Sequence, residues 1–179
     1  KHEPYPVFGF TPDSGYPIVN AEKGISMPQS ALREMIGGTI FSVSENQARP
    51  VHTGCLMEIE EDSITMVAVD NFRLARRTYF PEAPTGQKLR FVVPASGLKE
   101  VEKILEDSDA PVGFTLGSKH ILFEIGDATL VCRVLEGEFI DWRRVVPANS
   151  QTILTANVAE LTSSIERVSL IISEKVKSP

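Results

Sequence analysis

Apolar side chains recur along the chain with two different periods. Residues 29–44 carry an apolar side chain every three or four positions after Pro28, which predicts an amphipathic helix that begins near this proline. A short apolar segment at 25–27 predicts a strand before the helix. Apolar residues between turn residues then predict three further strands, at 54–60, 64–70 and 73–80.

The same order of elements then repeats. A predicted strand at 89–93 leads into Pro94 and Ser96, which begin a second helix, and three predicted strands follow at 112–116, 121–125 and 128–135. The segments MPQSALREM and VPASGLKEV match in kind at almost every place, and their prolines, Pro28 and Pro94, are 66 positions apart. A fixed internal period marks a duplicated unit. The sequence therefore predicts an α+β fold of two βαβββ units, with two helices packed on one side of antiparallel sheet.

These patterns divide the chain into three parts. Residues 1–24 contain prolines and glycines without a period, which indicates a linker or the tail of a preceding domain. Residues 25–147 form a domain that holds the two repeats, at about 25–80 and 87–137, followed by a connector. Residues 148–179 read as the truncated start of a further domain.

That last part contains a looser third copy of the pattern. The segment ILTANVAELTSSIERV predicts a short strand from Ile153 and a helix from about Asn157. Two complete repeats followed by the beginning of a third imply a larger tandem protein.

Composition and charge narrow the class of protein. The chain has 179 residues, 42% of them hydrophobic, which suits a folded domain with a core of ordinary size. The net charge of -6 argues against a protein that grips nucleic acid over its whole surface, but it permits a locally basic face. Because the start of the chain lacks a secretion signal and no segment reaches the ~18 apolar residues of a membrane helix, we expect a cytoplasmic protein.

Motifs that carry enzyme chemistry are missing from the sequence. It has no phosphate-binding glycine loop, no zinc-protease motif and no hydrolase elbow, and its three histidines have no nucleophile beside them. Cys55 and Cys132 lie in alternating apolar stretches without a ligand-spaced partner, so we predict buried, reduced thiols. The sequence predicts no enzyme, no cofactor and no metal site.

Cations on the predicted helices allow two interpretations. Arg33 lies on the polar side of the first helix, and Lys99 and Lys103 share a face of the second at i, i+4 spacing. Each lysine has a glutamate beside it, so an ordinary mixed-charge surface is the simpler interpretation. If both helices faced one cavity, these cations would meet phosphates without reading base sequence.

Two short segments remain to be explained. AVDNFRLA, at 68–75, lies at a strand–turn–strand junction, and LEGEFIDWRRVVP, at 135–147, concentrates apolar residues in the connector. The second segment is either a linker packed by its own apolar residues or an apolar groove at a domain junction, where peptide and ligand sites often lie.

Both segments resemble motifs of one family, the bacterial DNA polymerase III beta subunit, or beta sliding clamp. AVDNFRLA resembles the family's A-T-D-x-H-R-L-A, and LEGEFIDWRRVVP resembles its G-x-F-P-D-Y-x-x-x-x-P. The stretch MPQSALREMIGGTIFSVSENQARPVHTG is similar to the opening of the family's middle domain. Together the similarities cover about residues 25–170, in the family's order and on a duplicated frame.

The resemblance implies a DNA clamp fold and a role without catalysis. Members of the family are processivity factors in DNA replication, in which two three-domain subunits close head to tail into a homodimeric ring around duplex DNA. The implied partners are DNA, bound without sequence specificity, the DNA polymerase III catalytic subunit, the clamp loader and other clamp-binding proteins. The implied location is the bacterial cytoplasm, with nucleoid association during replication.

The resemblance also implies a pocket for short partner peptides between the middle and last domains. By position, its contributors in this chain are His52, Val69, Asn71, Phe72, Arg73, Leu74, Ile140, Arg144 and Val145. His52 replaces an aliphatic residue, Phe72 replaces the usual histidine, and Ile140 replaces proline. The rest of the family's pocket comes from the end of the last domain.

The same resemblance implies four DNA-facing candidates, which are Arg33, Arg49, Lys99 and Lys103. Arg49 belongs to a loop at 47–51 that carries aromatic residues in other members, whereas Pro50 and Val51 stand here.

Two other functions stay open from the residues alone. The chain could be an unrelated small α+β enzyme or ligand-binding protein with dispersed site residues, which a deep pocket with converging titratable groups would favour. It could also be a protein-interaction module without a DNA role.

Overall fold

The computed structural model of the chain describes residues 25–147, 149 and 152–170. The predicted linker at 1–24 therefore lies outside the described residues. The described strands are β1 Ile25–Pro28, β2 Gly54–Ile59, β3 Ile64–Val69, β4 Leu74–Tyr79, β5 Leu89–Pro94, β6 Pro111–Leu116, β7 His120–Ile125 and β8 Ala128–Arg133. The described helices are α1 Gln29–Gly37, α2 Ala95–Ile104, α3 Trp142–Val145 and α4 Val158–Ser169, with short 3-10 helices at Ile40–Ser42 and Pro50–Thr53.

The eight strands form two four-stranded antiparallel sheets. The first has the order β1-β6-β7-β8 and the second the order β4-β3-β2-β5. The sheets and helices together confirm the predicted α+β class. Each sheet takes three strands from one repeat and one from the other, because β1 pairs with β6 and β5 pairs with β2. The first strand of each repeat therefore completes the sheet of the other repeat, an exchange that the sequence analysis did not predict.

One core lies between the two helices and the inner faces of both sheets. Leu32 and Ile36 from α1 and Leu98 and Val101 from α2 are fully buried in it. The same core contains buried residues from strands of both sheets, including Phe123 of β7. Because two repeats share a single apolar interior, neither buries its own helix stripe alone.

The predicted helix at 29–44 is wrong at its end. Helix α1 stops at Gly37, and a 3-10 turn follows at Ile40–Ser42. Gly37 and Gly38 are poor helix formers. In addition, the Thr39 hydroxyl donates to the Met35 carbonyl oxygen at 2.7 Å, an acceptor that a backbone N–H would occupy if the helix continued.

Both cysteines are free and buried, as predicted. Burial raises the pKa of Cys55 to about 12, although a contact with the Thr39 hydroxyl opposes this shift. Burial also raises the pKa of Cys132. These thiols are therefore core residues that carry no charge near neutral pH.

The described residues fall into two compact units that divide between Ile140 and Asp141. In the second unit, the Asn157 side chain caps α4 by accepting from the backbone N–H groups of Ala159 and Glu160. Residues 152–157 form no strand in the described chain, so the predicted strand from Ile153 is wrong there, since no described strand pairs with it. The predicted domain boundary at residue 147 stays a prediction.

Substitution of Gly54 tests how closely β2 packs against β5. A Cβ at this position would lie 2.3 Å from the Val93 carbonyl oxygen and 2.9 Å from Leu135 Cδ1. We predict that Gly54→Ala lowers the free energy of unfolding by about 1–3 kcal/mol or more, measured by chemical denaturation. Gly113→Ala is the matched strand control, because its Cβ would meet only Glu124 at 3.4 Å or beyond. It should change stability by no more than about 0.5 kcal/mol, and equal effects would contradict the account.

Candidate functional site

The turn between β3 and β4 is held by one carboxylate. Asp70 Oδ1 accepts from the backbone N–H groups of Phe72 at 2.8 Å and Arg73 at 2.9 Å, and Oδ2 accepts from Arg73 Nε at 2.9 Å. The Asp70 N–H donates to the Arg73 carbonyl oxygen and closes the turn. This side-chain turn fixes the backbone of Asn71 and Phe72 although both are exposed.

The ionised form of Asp70 is the one that the turn stabilises. Burial opposes ionisation, but the backbone N–H groups of Phe72 and Arg73 and the Arg73 guanidinium outweigh it and lower the pKa of Asp70. The Arg73 side chain is thereby committed to an ion pair within the turn. The carboxylate that accepts the turn's hydrogen bonds is therefore charged at neutral pH.

Most of the predicted pocket residues of the first unit meet at one end of the second sheet. Val69 pairs with Leu74, so the turn lies at the end of β3. Continuing the β2–β3 register brings Gly54 opposite Val69, at the same end. His52 precedes Gly54 by two residues, in the 3-10 helix that leads into β2, so it lies near the same end of the sheet.

His52 ties the connector to this end. Its ring meets the Phe139 ring edge to face, with centroids 5.3 Å apart and an interplanar angle of 74°. Gly137, at φ +133°, brings the connector close to Val51, where a Cβ would lie 3.5 Å from the valine. These contacts place Ile140, the residue after Phe139, at the same end of the sheet.

The environment of His52 favours its neutral form. Burial lowers the pKa of His52 and the nearby Arg49 charge lowers it further. A neutral imidazole packs against the Phe139 ring without the cost of desolvating a charge. His52 thus acts here as a packing residue.

The end of the sheet offers apolar surface to solvent. Phe72 is 75% exposed and Ile140 is 39% exposed, while Val69 is only 6% exposed. The surface is an open rim in this unit. It is suited to apolar contact with a partner.

A cavity that the sequence did not predict lies beside β5. It has a volume of about 290 Å³, and its walls come from β5, the β6–β7 turn and the connector. The connector bridges to β5 where the Leu135 N–H donates to the Val92 carbonyl oxygen at 2.9 Å. Arg90 at its edge pairs with the buried carboxylate of Glu58 at 3.2 Å. None of the predicted pocket residues lines this cavity.

Arg144 and Val145 belong to the second unit. Both lie on the short helix α3, and Arg144 Nε contacts Asp141 Oδ2 at 3.0 Å. The Arg144 side chain is 87% exposed, so its charge remains accessible despite this pair. The neighbouring Arg143 guanidinium lies 4.4 Å from the centre of the Trp142 ring.

The four predicted DNA-facing cations are exposed, and Lys103 among them is paired with a carboxylate. Arg33 and Lys99 are exposed on α1 and α2, while Lys103 donates to Glu100 at 2.7 Å. Arg49 is exposed in the loop that ends at the 3-10 helix. Sequence reasoning missed Arg77 of β4, which donates to Glu34 of α1 at 2.7 Å and offsets the charge of that carboxylate.

The described part of the chain holds no group of three or more histidine, cysteine or acidic residues that could bind a metal ion. Among the described residues, no helix has the length and apolar character to cross a membrane.

Comparison with known proteins identifies the family. A model of the DNA polymerase III beta subunit, central domain, matches residues 26–141. A beta sliding clamp from Staphylococcus epidermidis is 31% identical over 176 residues, covering 97% of this chain and 46% of the relative. The DNA polymerase sliding clamp of Bacillus subtilis matches at TM-score 0.84 and 28% identity, covering 91% of this chain and 43% of that one.

A sliding clamp of Pseudomonas aeruginosa, solved with griselimycin bound, matches at TM-score 0.79 and 26% identity. It covers 90% of this chain and 43% of that one, so the chain spans about half the length of the relatives it matches. The matches confirm the DNA clamp fold that the resemblance implied. The chain belongs to the bacterial DNA polymerase III beta subunit family, the beta sliding clamps.

Proposed function

We propose that this chain supplies the middle domain of a ring-shaped processivity factor that encircles duplex DNA and docks replication proteins without catalysing a reaction. The observation that carries the proposal is the pair of βαβββ repeats joined by exchanged strands, which the family's central-domain model covers from residue 26 to residue 141. In this proposal two subunits close head to tail. The proposed site of action of the ring is nicked or primed DNA within the nucleoid, in the bacterial cytoplasm.

The charge distribution supports sliding. The chain has a net charge of -6, yet Arg33 and Lys99 are exposed on the two core helices. If those helices face the ring's hole, a few cations would attract the phosphates while the acidic body disfavours tight adhesion. Arg49 and Lys103 are the further DNA-facing positions in this proposal. Contacts to the backbone carry no base specificity, as a sliding ring requires.

The rim at the end of the second sheet supports a partner-peptide site. It gathers His52, Val69, Leu74 and Ile140 within one compact unit, next to the rigid turn at Asn71–Arg73. Arg144 and Val145 complete the proposed set from α3. The proposed binding partners at this site are the polymerase catalytic subunit, the clamp loader and other clamp-binding proteins. The relative with griselimycin bound shows that a member of the family holds a ligand.

Retention on DNA tests the ring directly. We predict that the full-length product of the gene encoding this chain, loaded by its clamp loader onto nicked circular duplex, co-elutes with the DNA in gel filtration. Cutting the circle should release it within minutes, because a ring slides off a free end. Persistent binding after linearisation would show ordinary adhesion and contradict the proposal, as would failure to stay on the circle.

A second experiment tests the peptide site. The probe is a fluorescein-labelled clamp-binding peptide from the polymerase catalytic subunit, and the readout is anisotropy with the same full-length product. We predict that Leu74→Ala and Arg144→Ala each raise Kd roughly tenfold, because each truncates a side chain of the proposed peptide-binding set. Ile104→Ala and Arg77→Ala are matched controls, since both side chains are exposed, Ile104 at the end of α2 and Arg77 where β4 contacts α1. Four equal affinities would refute the site.

A further inference from the structure

Within the first unit, the connector is attached to the second sheet at two places. At its start, the Leu135 N–H donates to the Val92 carbonyl oxygen at 2.9 Å. At its end, Phe139 is buried and its ring meets the His52 ring. The cavity of about 290 Å³ lies between these two places, with walls from both β5 and the connector. Because Ile140 is the next residue along the chain, its position depends on how firmly Phe139 is held.

Arg90 of β5 contacts both the sheet and the connector. Its Nε lies 3.2 Å from Oε1 of Glu58, the residue opposite it on β2, whose side chain is only 8% exposed. Its Nη2 donates to the Phe139 carbonyl oxygen at 3.4 Å. A guanidinium can make both contacts because its planar fork presents several N–H donors in a fixed geometry, whereas a lysine ammonium has a single nitrogen. Arg90 thus links a buried carboxylate of the sheet to the backbone of the connector.

The carbonyl that Arg90 contacts belongs to the peptide bond between Phe139 and Ile140. This carbonyl, the following N–H and the Ile140 Cα lie in one plane. The packing of the Phe139 ring on His52 holds the ring, but it leaves the plane free to rotate about the Cα–C bond of Phe139. A donor on the carbonyl restrains that rotation, and with it the direction in which the Ile140 side chain leaves the backbone.

We propose that Arg90 is a positioning residue of the partner-peptide site, which orients Ile140 at the rim by holding the Phe139 carbonyl. This inference rests on the peptide site proposed above, and Arg90 is not one of the predicted pocket residues. Ile140 is 39% exposed, so a partner meets it in the orientation that its backbone sets. A backbone that is ordered before binding loses less conformational entropy when a peptide covers it. Loss of the restraint should therefore weaken peptide binding although no side chain of the rim is removed.

The variant Arg90→Lys separates positioning from charge compensation. The ammonium keeps a positive charge beside Glu58 but lacks the fork that also holds the Phe139 carbonyl. With the labelled peptide and the full-length product described above, we expect Arg90→Lys to raise Kd roughly three- to tenfold at an unchanged melting temperature. Arg77→Lys is the matched control, because it makes the same change in an exposed arginine that pairs with Glu34. It should leave both Kd and the melting temperature unchanged.

A double-mutant cycle tests whether Arg90 acts through Ile140. In an Ile140→Ala background, Arg90→Lys should change Kd by less than about twofold, because the side chain that Arg90 positions has been removed. In a Leu74→Ala background, Arg90→Lys should still raise Kd roughly three- to tenfold. Leu74 serves as the comparison because it is held by its pairing with Val69 of β3, independently of the connector.

The outcomes separate the two proposals. If the wild-type product does not bind the peptide, or if Leu74→Ala does not weaken binding, the peptide site itself is wrong and the role of Arg90 is wrong with it. If Leu74→Ala weakens binding but Arg90→Lys binds as the wild type does, the site stands and the role of Arg90 is wrong. An equal loss of affinity in the Ile140→Ala background, or a raised Kd together with a lower melting temperature, would show that Arg90 acts elsewhere or on the fold as a whole. Either result overturns the inference.

Discussion

The exchange of one strand between the two repeats is the constraint on which the rest of the structure depends. β1 closes the sheet made by β6–β8, and β5 closes the sheet made by β2–β4. Each exchanged strand runs directly into a core helix through a proline, Pro28 or Pro94, so the strand and helix of one repeat are fixed by the other repeat's sheet. If either repeat folded alone, apolar residues that now lie in the shared core would be exposed.

The candidate site depends on this exchange because β5 is its border. β5 pairs with β2 in a register that sets Gly54 opposite Pro94, and the connector then bridges to β5 at Val92. The path from that bridge to Phe139 leads the connector back to His52. The rim is thus assembled from a hairpin turn, a 3-10 helix and a connector that share one sheet end. Peptide docking, as proposed for this rim, needs apolar surface on a rigid frame and no reacting group.

Local patterns predicted the elements well. Period and turn chemistry located the eight strands within two residues, because each is short and bounded by turn residues. The end of α1 was predicted too late, since the apolar period continued past Gly37 and Gly38 although the backbone does not favour a helix there. The pairing between strands could not be predicted from the sequence, because the apolar pattern of a strand does not specify which neighbouring strand it pairs with. The contact of His52 with Phe139 joins distant parts of the sequence for the same reason.

The candidate site was reached partly through the resemblance and partly through the structure. The turn chemistry around Asp70 is local and can be read from the sequence D-N-F-R, whereas the exposure of Phe72 and the ring contact of His52 depend on the tertiary fold. The cavity beside β5 left no signal in the sequence, because its walls come from three separate segments.

Native-state hydrogen exchange tests the central claim, that strand exchange makes the two repeats one cooperative unit. The measurement follows backbone amides in the inner strands β2, β3, β6 and β7 as denaturant is added below the unfolding transition. The account predicts that amides of both sheets reach the same opening free energy, equal to that of global unfolding. Opening of β6 and β7 at a lower free energy than β2 and β3, or the reverse, would show that the repeats unfold separately and contradict it.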